Sequence, residues 1–218
     1  MQFTTPGEHT FELSGQQGHV LEGRWQCPTE LSSETVLLVC HPHSLHGGSM
    51  NNKIVTSITR AARDLGLRSL RFNMRGVGHS QGTFDHGDGE TQDLLTIIDW
   101  LKHQPHVSTI ALAGFSFGSY VSYAAACQTD VEFLISVAPP IARFSFTEQL
   151  SVTTPWLLLQ GDADDIVSPT EVYQWAAQRS PGPQIQRFAQ AGHFFHGHLL
   201  ALRQAIVDFY HQHHSHDT

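Results

Sequence analysis

Residues 110–127 read IALAGFSFGSYVSYAAAC, and the way this stretch folds decides the architecture of the chain. Its first five residues are a continuous apolar run of the kind buried in parallel sheets. Its last nine, SYVSYAAAC, are small and compatible with a helix. Between them lies Gly114-Phe115-Ser116-Phe117-Gly118. A strand that enters a helix through Gly-x-Ser-x-Gly implies a tight turn, with Ser116 strained and its Oγ exposed at the sheet edge. Side chains at 114 and 118 would collide across that turn, so both positions need glycine. The following helix points its N-terminus at the hydroxyl, where free N–H groups and the dipole favour developing negative charge. Ser116 is therefore the candidate nucleophile.

Working outward, strand-like and helical patterns alternate from about residue 35. On the N-terminal side, VLLVC (36–40) and LRSLRF (67–72) read as strands. Ile54, Ile58, Ala61, Ala62 and Leu65 lie at helical spacing between them, stopped by Gly66. Leu94, Ile97, Ile98 and Leu101 mark a second amphipathic helix. On the C-terminal side, FLISVA (133–138), WLLLQG (156–161) and IQRF (185–188) are further strands. Ser168-Pro169-Thr170-Glu171 opens a helix as a capping box with proline at its first position. Leu199, Leu202, Ile206 and Phe209 form the apolar stripe of a closing helix, and the first 30 residues suggest an antiparallel β-hairpin. The repeat predicts an α/β fold: a mostly parallel central sheet with helices on both faces, in one domain spanning 1–218 with a frayed tail at 210–218. Ligands of such sheets bind beyond the carboxyl ends of the strands.

Composition narrows the function classes. Twelve basic against 20 acidic residues give a formal charge of −8, which argues against nucleic acid or an anionic membrane as partner. No apolar run approaches the roughly 18 residues of a membrane helix. Three widely spaced cysteines and the absence of a visible signal peptide point to a reduced, cytoplasmic setting.

A serine hydroxyl needs a histidine to take its proton and a carboxylate to hold that histidine. In the chain order Ser…Asp…His the acid follows a later strand and the base follows the last. After WLLLQ stand Asp162, Asp164 and Asp165, all candidates for the acid. After IQRF comes Ala191-Gly192-His193-Phe194-Phe195-His196-Gly197. His193, directly behind Gly192 and the strand, is favoured as base over His196 and His198.

These settings resemble the α/β-hydrolase superfamily over nearly the whole chain. The likeness is greatest to small, lidless bacterial hydrolases of the dienelactone hydrolase and esterase type. It rests on AGFSFG (113–118), FNMRGVGHS (72–80), GDADDIVSP (161–169) and GHFFHG (192–197). The resemblance selects Asp164 as the acid, three residues after Gly161. It implies an oxyanion hole built from the amides of Phe117 and of the loop HPHSLHGG (41–48), where His43 is the donor and Ser44 the second choice. Pro42 has no N–H to offer. The resemblance also implies that Arg75, in the Arg-Gly-x-Gly-x-Ser loop, forms hydrogen bonds that brace the oxyanion loop. The short 139–155 connection, where larger relatives insert a lid, implies an open site.

His41, His43 and His46 form a His-x-His-x-x-His spacing close to that of a binuclear zinc loop. Leu45 stands where that loop has an acid, and no further ligand spacing recurs, so neither a metal nor another cofactor is expected. Phe144, Phe194, Phe195 and His196 are expected at the substrate, and Phe115 and Phe146 could line the same pocket. Asp85, His86 and Asp88 read as a solvated loop. The implied activity is that of a serine hydrolase of the carboxylesterase class, cleaving an ester or thioester of a small acyl substrate. The rivals are a peptidase or lactone hydrolase using the same triad and a non-catalytic interaction protein. A homodimer is left open.

Overall fold

A computed structural model describes residues 4–144, 146 and 152–214. Two N-terminal strands, β1 (Gly7–Ser14) and β2 (Val20–Cys27), form the expected hairpin. Then follow β3 (Thr35–Cys40), α1 (Lys53–Asp64), β4 (Arg68–Phe72), α2 (Asp88–Lys102), β5 (Thr109–Phe115) and α3 (Phe117–Ala126). The chain continues through β6 (Leu134–Val137), β7 (Trp156–Gly161), α4 (Pro169–Ala177), β8 (Gln184–Phe188) and α5 (Leu199–His214). The sheet has eight strands in the order β1-β2-β4-β3-β5-β6-β7-β8. Pairing is antiparallel from β1 to β4 and parallel from there to β8.

Alternation of side chains along the central strands divides the core in two. Leu37 and Val39 of β3, with Ala111, Ala113 and Phe115 of β5, face α1 and α5. Val36 and Leu38, with Ile110 and Leu112, face α2 and α3. All six residues of β3 are buried, as are all six of β7, which explains their unbroken apolar runs. The edge strand β8 is exposed except for Phe188.

Helix ends follow their local chemistry. Asn52 Oδ1 accepts from Ile54 N at 2.8 Å and caps α1, and Gly66 at φ 69° ends it. Glu90 accepts from the amides of Asp85 and Gly87, so α2 starts earlier than its apolar stripe suggested. Ser168 Oγ accepts from Glu171 N at 3.4 Å, one of the two bonds of the expected capping box. The frayed tail is corrected in part: α5 runs on through His214, which stacks on Tyr210 and reaches Glu132 Oε1 at 3.1 Å. Residues 215–218 lie outside the described residues.

The contact that positions the site is a meeting of backbones. A Cβ added to Gly118, in the first turn of α3, would stand 2.3 Å from the Cys40 carbonyl oxygen and 2.5 Å from that of His41. At Gly114 it would stand 2.1 Å from the Gly118 carbonyl oxygen. Glycine is thus needed at 114 by the turn and at 118 by the end of β3. Gly118→Ala is expected to destabilise the fold by about 3 kcal/mol or to prevent folding, measured by urea unfolding. A variant as stable as the parent would show that this approach is not tight.

Candidate active site

Ser116 occupies the turn between β5 and α3 at φ 52°, ψ −119°, a conformation that non-glycine residues rarely adopt. Its N–H donates to Val137 O at 2.8 Å, and its carbonyl accepts from Ser119 N and Ser119 Oγ. The strain is held by those bonds, and the side chain is left toward a cleft of about 540 Å³. His193 lines the same cleft.

His193 Nδ1 donates to Asp164 Oδ2 at 2.8 Å, with both side chains buried. Asp164 stands after β7, and its other oxygen accepts from the amides of Ile166 and Val167 at 2.9 and 2.8 Å. Gln160 Nε2 donates to Oδ2 at 3.1 Å. Burial alone would push this carboxyl up. The bonds from His193, Val167 and Ile166 outweigh it and hold the group below its ordinary 3.8. The carboxylate is charged and fixes one face of the imidazole, leaving Nε2 for the cleft. The ring is held between Phe115, at a centroid distance of 5.0 Å, and the edge-on Phe194 at 5.2 Å.

The two other acids of the segment do different work. Asp162 accepts from Tyr173 Oη at 2.6 Å and from Arg187 Nε at 3.1 Å. Asp165 is exposed.

Phe117 is the first residue of α3, where an N–H finds no partner within the helix. The loop 41–48 lies beside it. It closes on itself through a 3₁₀ turn at Ser44–His46, with His46 N and Gly48 N both donating to His43 O at 3.0 Å. A Cβ on Gly48 would stand 2.0 Å from Pro42 O, so the closure depends on that glycine. The amides expected to hold an oxyanion, those of His43 and Phe117, therefore sit on two segments packed together by Gly118.

Two of the histidines of this loop, His41 and His43, are spent on hydrogen bonds. His41 is fully buried; its Nδ1 donates to Pro42 O at 2.6 Å and its Nε2 accepts from Met74 N at 3.0 Å. Burial pushes His41 down to about 4, so the ring is neutral and ties the loop to the segment after β4. His43 Nδ1 accepts from Leu45 N, and its ring packs on Phe84 and Phe117. Burial, then the charges of His46, Arg143 and His86, hold it below its ordinary 6.5.

Several expected roles are corrected. Arg75 pairs with Asp93 at 2.7 Å and with Asp85 at 3.7 Å, and so braces the 83–89 loop and α2 rather than the oxyanion loop. That bracing falls to His41 and to Asn73, whose Oδ1 accepts from Met50 N at 2.9 Å. Phe195 is fully buried against Phe188 in the core, turned away from the cleft by its positive φ of 50°. Phe146 packs on Tyr123 and Trp175. His196 is exposed and stacks on Phe194 without lining the cleft. Phe144 and Phe194 do line it, together with His46, weighed above only for a metal, and with Asn52, Pro140, Arg143 and Ile166, which the sequence had not singled out. Pro139-Pro140 directly after a strand was a signal for a fixed turn at the sheet's carboxyl edge. Arg143 and Ile166 had none.

The fold and this cleft define an α/β serine hydrolase without a lid. The family model for the X-Pro dipeptidyl-peptidase (S15 family) matches residues 36–151, and the chain belongs to that family of α/β-hydrolases. It is similar to an α/β serine hydrolase without lid from Xanthomonas campestris, with 42% identity, TM-score 0.89 and 96% of each chain covered. An α/β serine hydrolase homologue from Coxiella burnetii shares 40% identity at TM-score 0.88, over 94% of this chain and 98% of that one. An uncharacterized Rickettsia prowazekii protein is 36% identical over 73% of this chain and 68% of its own.

Neutral, buried His41 gives a signed pH dependence. Its folded pKa lies below its unfolded one, so the unfolded chain takes up the proton first, and stability falls as pH drops from 6.5 toward 4. The loss is expected to be about 1 kcal/mol per pH unit. Replacement by Gln is expected to flatten the urea midpoint over that range. Equal slopes in both proteins would refute the assignment.

Proposed function

We propose that this protein cleaves a carboxylic ester or thioester of a small acyl substrate through Ser116, His193 and Asp164. The observation that supports this most directly is the 2.8 Å bond from His193 to a charged Asp164, in a cleft also lined by the strained Ser116. In this reading Ser116 Oγ attacks the acyl carbon as its proton passes to His193 Nε2. The carbonyl oxygen gains the charge and is held by the amides of Phe117 and His43. On collapse, His193 returns the proton to the departing alcohol or thiol, leaving an acyl-serine. Water, deprotonated by the same imidazole, releases the acid and restores the hydroxyl.

A short substrate fits the cleft's 540 Å³ and its Phe144 and Phe194 walls. No described helix is long and apolar enough to cross a membrane. The free Cys27, Cys40 and Cys127 suit a reducing cytoplasm. The S15 match favours a second reading, hydrolysis of a peptide bond after proline by the same groups.

Covalent labelling with a fluorophosphonate separates these groups from any others. Wild type is expected to label stoichiometrically, Ser116→Ala not at all, and His193→Ala slowly. Ester turnover should fall about 10⁴-fold or more in Ser116→Ala. Labelling that persists in that variant would move the nucleophile elsewhere. Turnover of X-Pro anilides above that of simple esters would favour the peptidase reading.

A further inference from the structure

The chain carries 20 acidic and 12 basic residues, yet none of the described residues lining the cleft is acidic. The one permanently charged group there is Arg143. It is exposed, and its side chain makes a single long bond of 3.4 Å to the Ile166 carbonyl, with no carboxylate partner among the described residues. By contrast Arg24, Arg71, Arg75 and Arg187 are each matched to a carboxylate at 3.1 Å or less.

Arg143 is also held in place. Its backbone N–H closes a turn onto Pro140 O at 3.0 Å. The next residue, Phe144, is stacked on Tyr120 at 4.9 Å and packs on Phe117 at 5.1 Å, beside the nucleophile. The guanidinium is therefore carried on an anchored segment at a site whose other described walls hold no permanently charged side chain.

Resting on the hydrolase reading above, we propose that Arg143 is a specificity residue which recognises a carboxylate on the substrate. The preferred substrate is then an ester or thioester that bears a free carboxylate in its acyl or its leaving half. A guanidinium offers a carboxylate two parallel donors. Arg143 is the one permanently charged side chain among the lining residues, and a single guanidinium suits a monoanion better than a phosphate dianion.

The test uses matched pairs of neutral and anionic esters. For the acyl half these are 4-nitrophenyl pentanoate and the 4-nitrophenyl monoester of glutarate. For the leaving half they are the acetates of 4-hydroxybenzamide and 4-hydroxybenzoate. In at least one pair, wild type is expected to prefer the anionic member by about tenfold in kcat/KM, carried mainly by KM. Raising salt from about 0.05 to about 0.5 M should shrink the preference. Arg143→Gln should bring the ratio close to one, and Arg143→Lys should restore part of it. Ester turnover with a ratio near one in both wild-type pairs, or a preference unchanged in Arg143→Gln, would overturn the role of Arg143 alone. Absence of turnover and of Ser116 labelling would overturn the hydrolase reading and this inference with it.

Discussion

The site depends on how closely two stretches of backbone approach each other: the first turn of α3 and the carboxyl end of β3. Only hydrogen can occupy the side-chain position of Gly118, because the carbonyls of Cys40 and His41 stand where a Cβ would go. The approach brings the loop 41–48 against the residue after Ser116, and His43 packs on Phe117 at a centroid distance of 5.1 Å as a result. Two amides from segments more than 70 residues apart in sequence are thus placed side by side by a steric condition. No side-chain interaction of its own is needed, and the geometry is correspondingly rigid.

Two buried titratable residues then keep the surroundings in order, and their environments act in opposite senses. His41 has a backbone acceptor and a backbone donor at its two nitrogens, and burial keeps it neutral. Asp164 is comparably enclosed but receives bonds from two amides, Gln160 and His193, which favour its charged form. The first serves as a hydrogen-bonding strut for a loop, while the second orients the His193 imidazole. Residue type alone does not distinguish these uses; the number and kind of donors around each group does.

The fold, and the gathering of Ser116, Asp164 and His193 at one edge of the sheet, were legible in the sequence for physical reasons. Buried parallel strands leave unbroken apolar runs, and the strand–GFSFG–helix turn leaves glycines that nothing else explains. Asp164 and His193 were findable because each follows a strand at the same sheet edge, although choosing Asp164 over Asp162 needed a family likeness. The misreadings concern side-chain direction. Phe194 and Phe195 are equally apolar neighbours, and only the left-handed backbone of Phe195 sends its ring into the core. Arg75 follows Asn73 by two residues, yet Asn73 reaches Met50, just past the loop 41–48, while Arg75 reaches Asp93 on α2. Such choices are settled by distant partners, which a local pattern does not contain. Arg143 was illegible for the same reason, since its place in the cleft is fixed by Phe144 stacking on Tyr120 of α3.

This division bears on where substrate choice resides. The groups assigned to chemistry are set by backbone at the carboxyl ends of β3, β5, β7 and β8, and there is little room to vary them without losing the turn or the loop. Of the walls, Ile166 and Phe194 share the turns after β7 and β8 with Asp164 and His193, whereas Pro140, Arg143 and Phe144 come from the connection between β6 and β7. Without a lid, that connection is the wall with most freedom to change length and charge. Surface loops on a rigid scaffold tolerate such change at small cost to the core. A guanidinium carried there adds discrimination by charge to a cleft whose remaining walls select by size and aromatic contact, while leaving untouched the backbone approach on which the rest of the site stands.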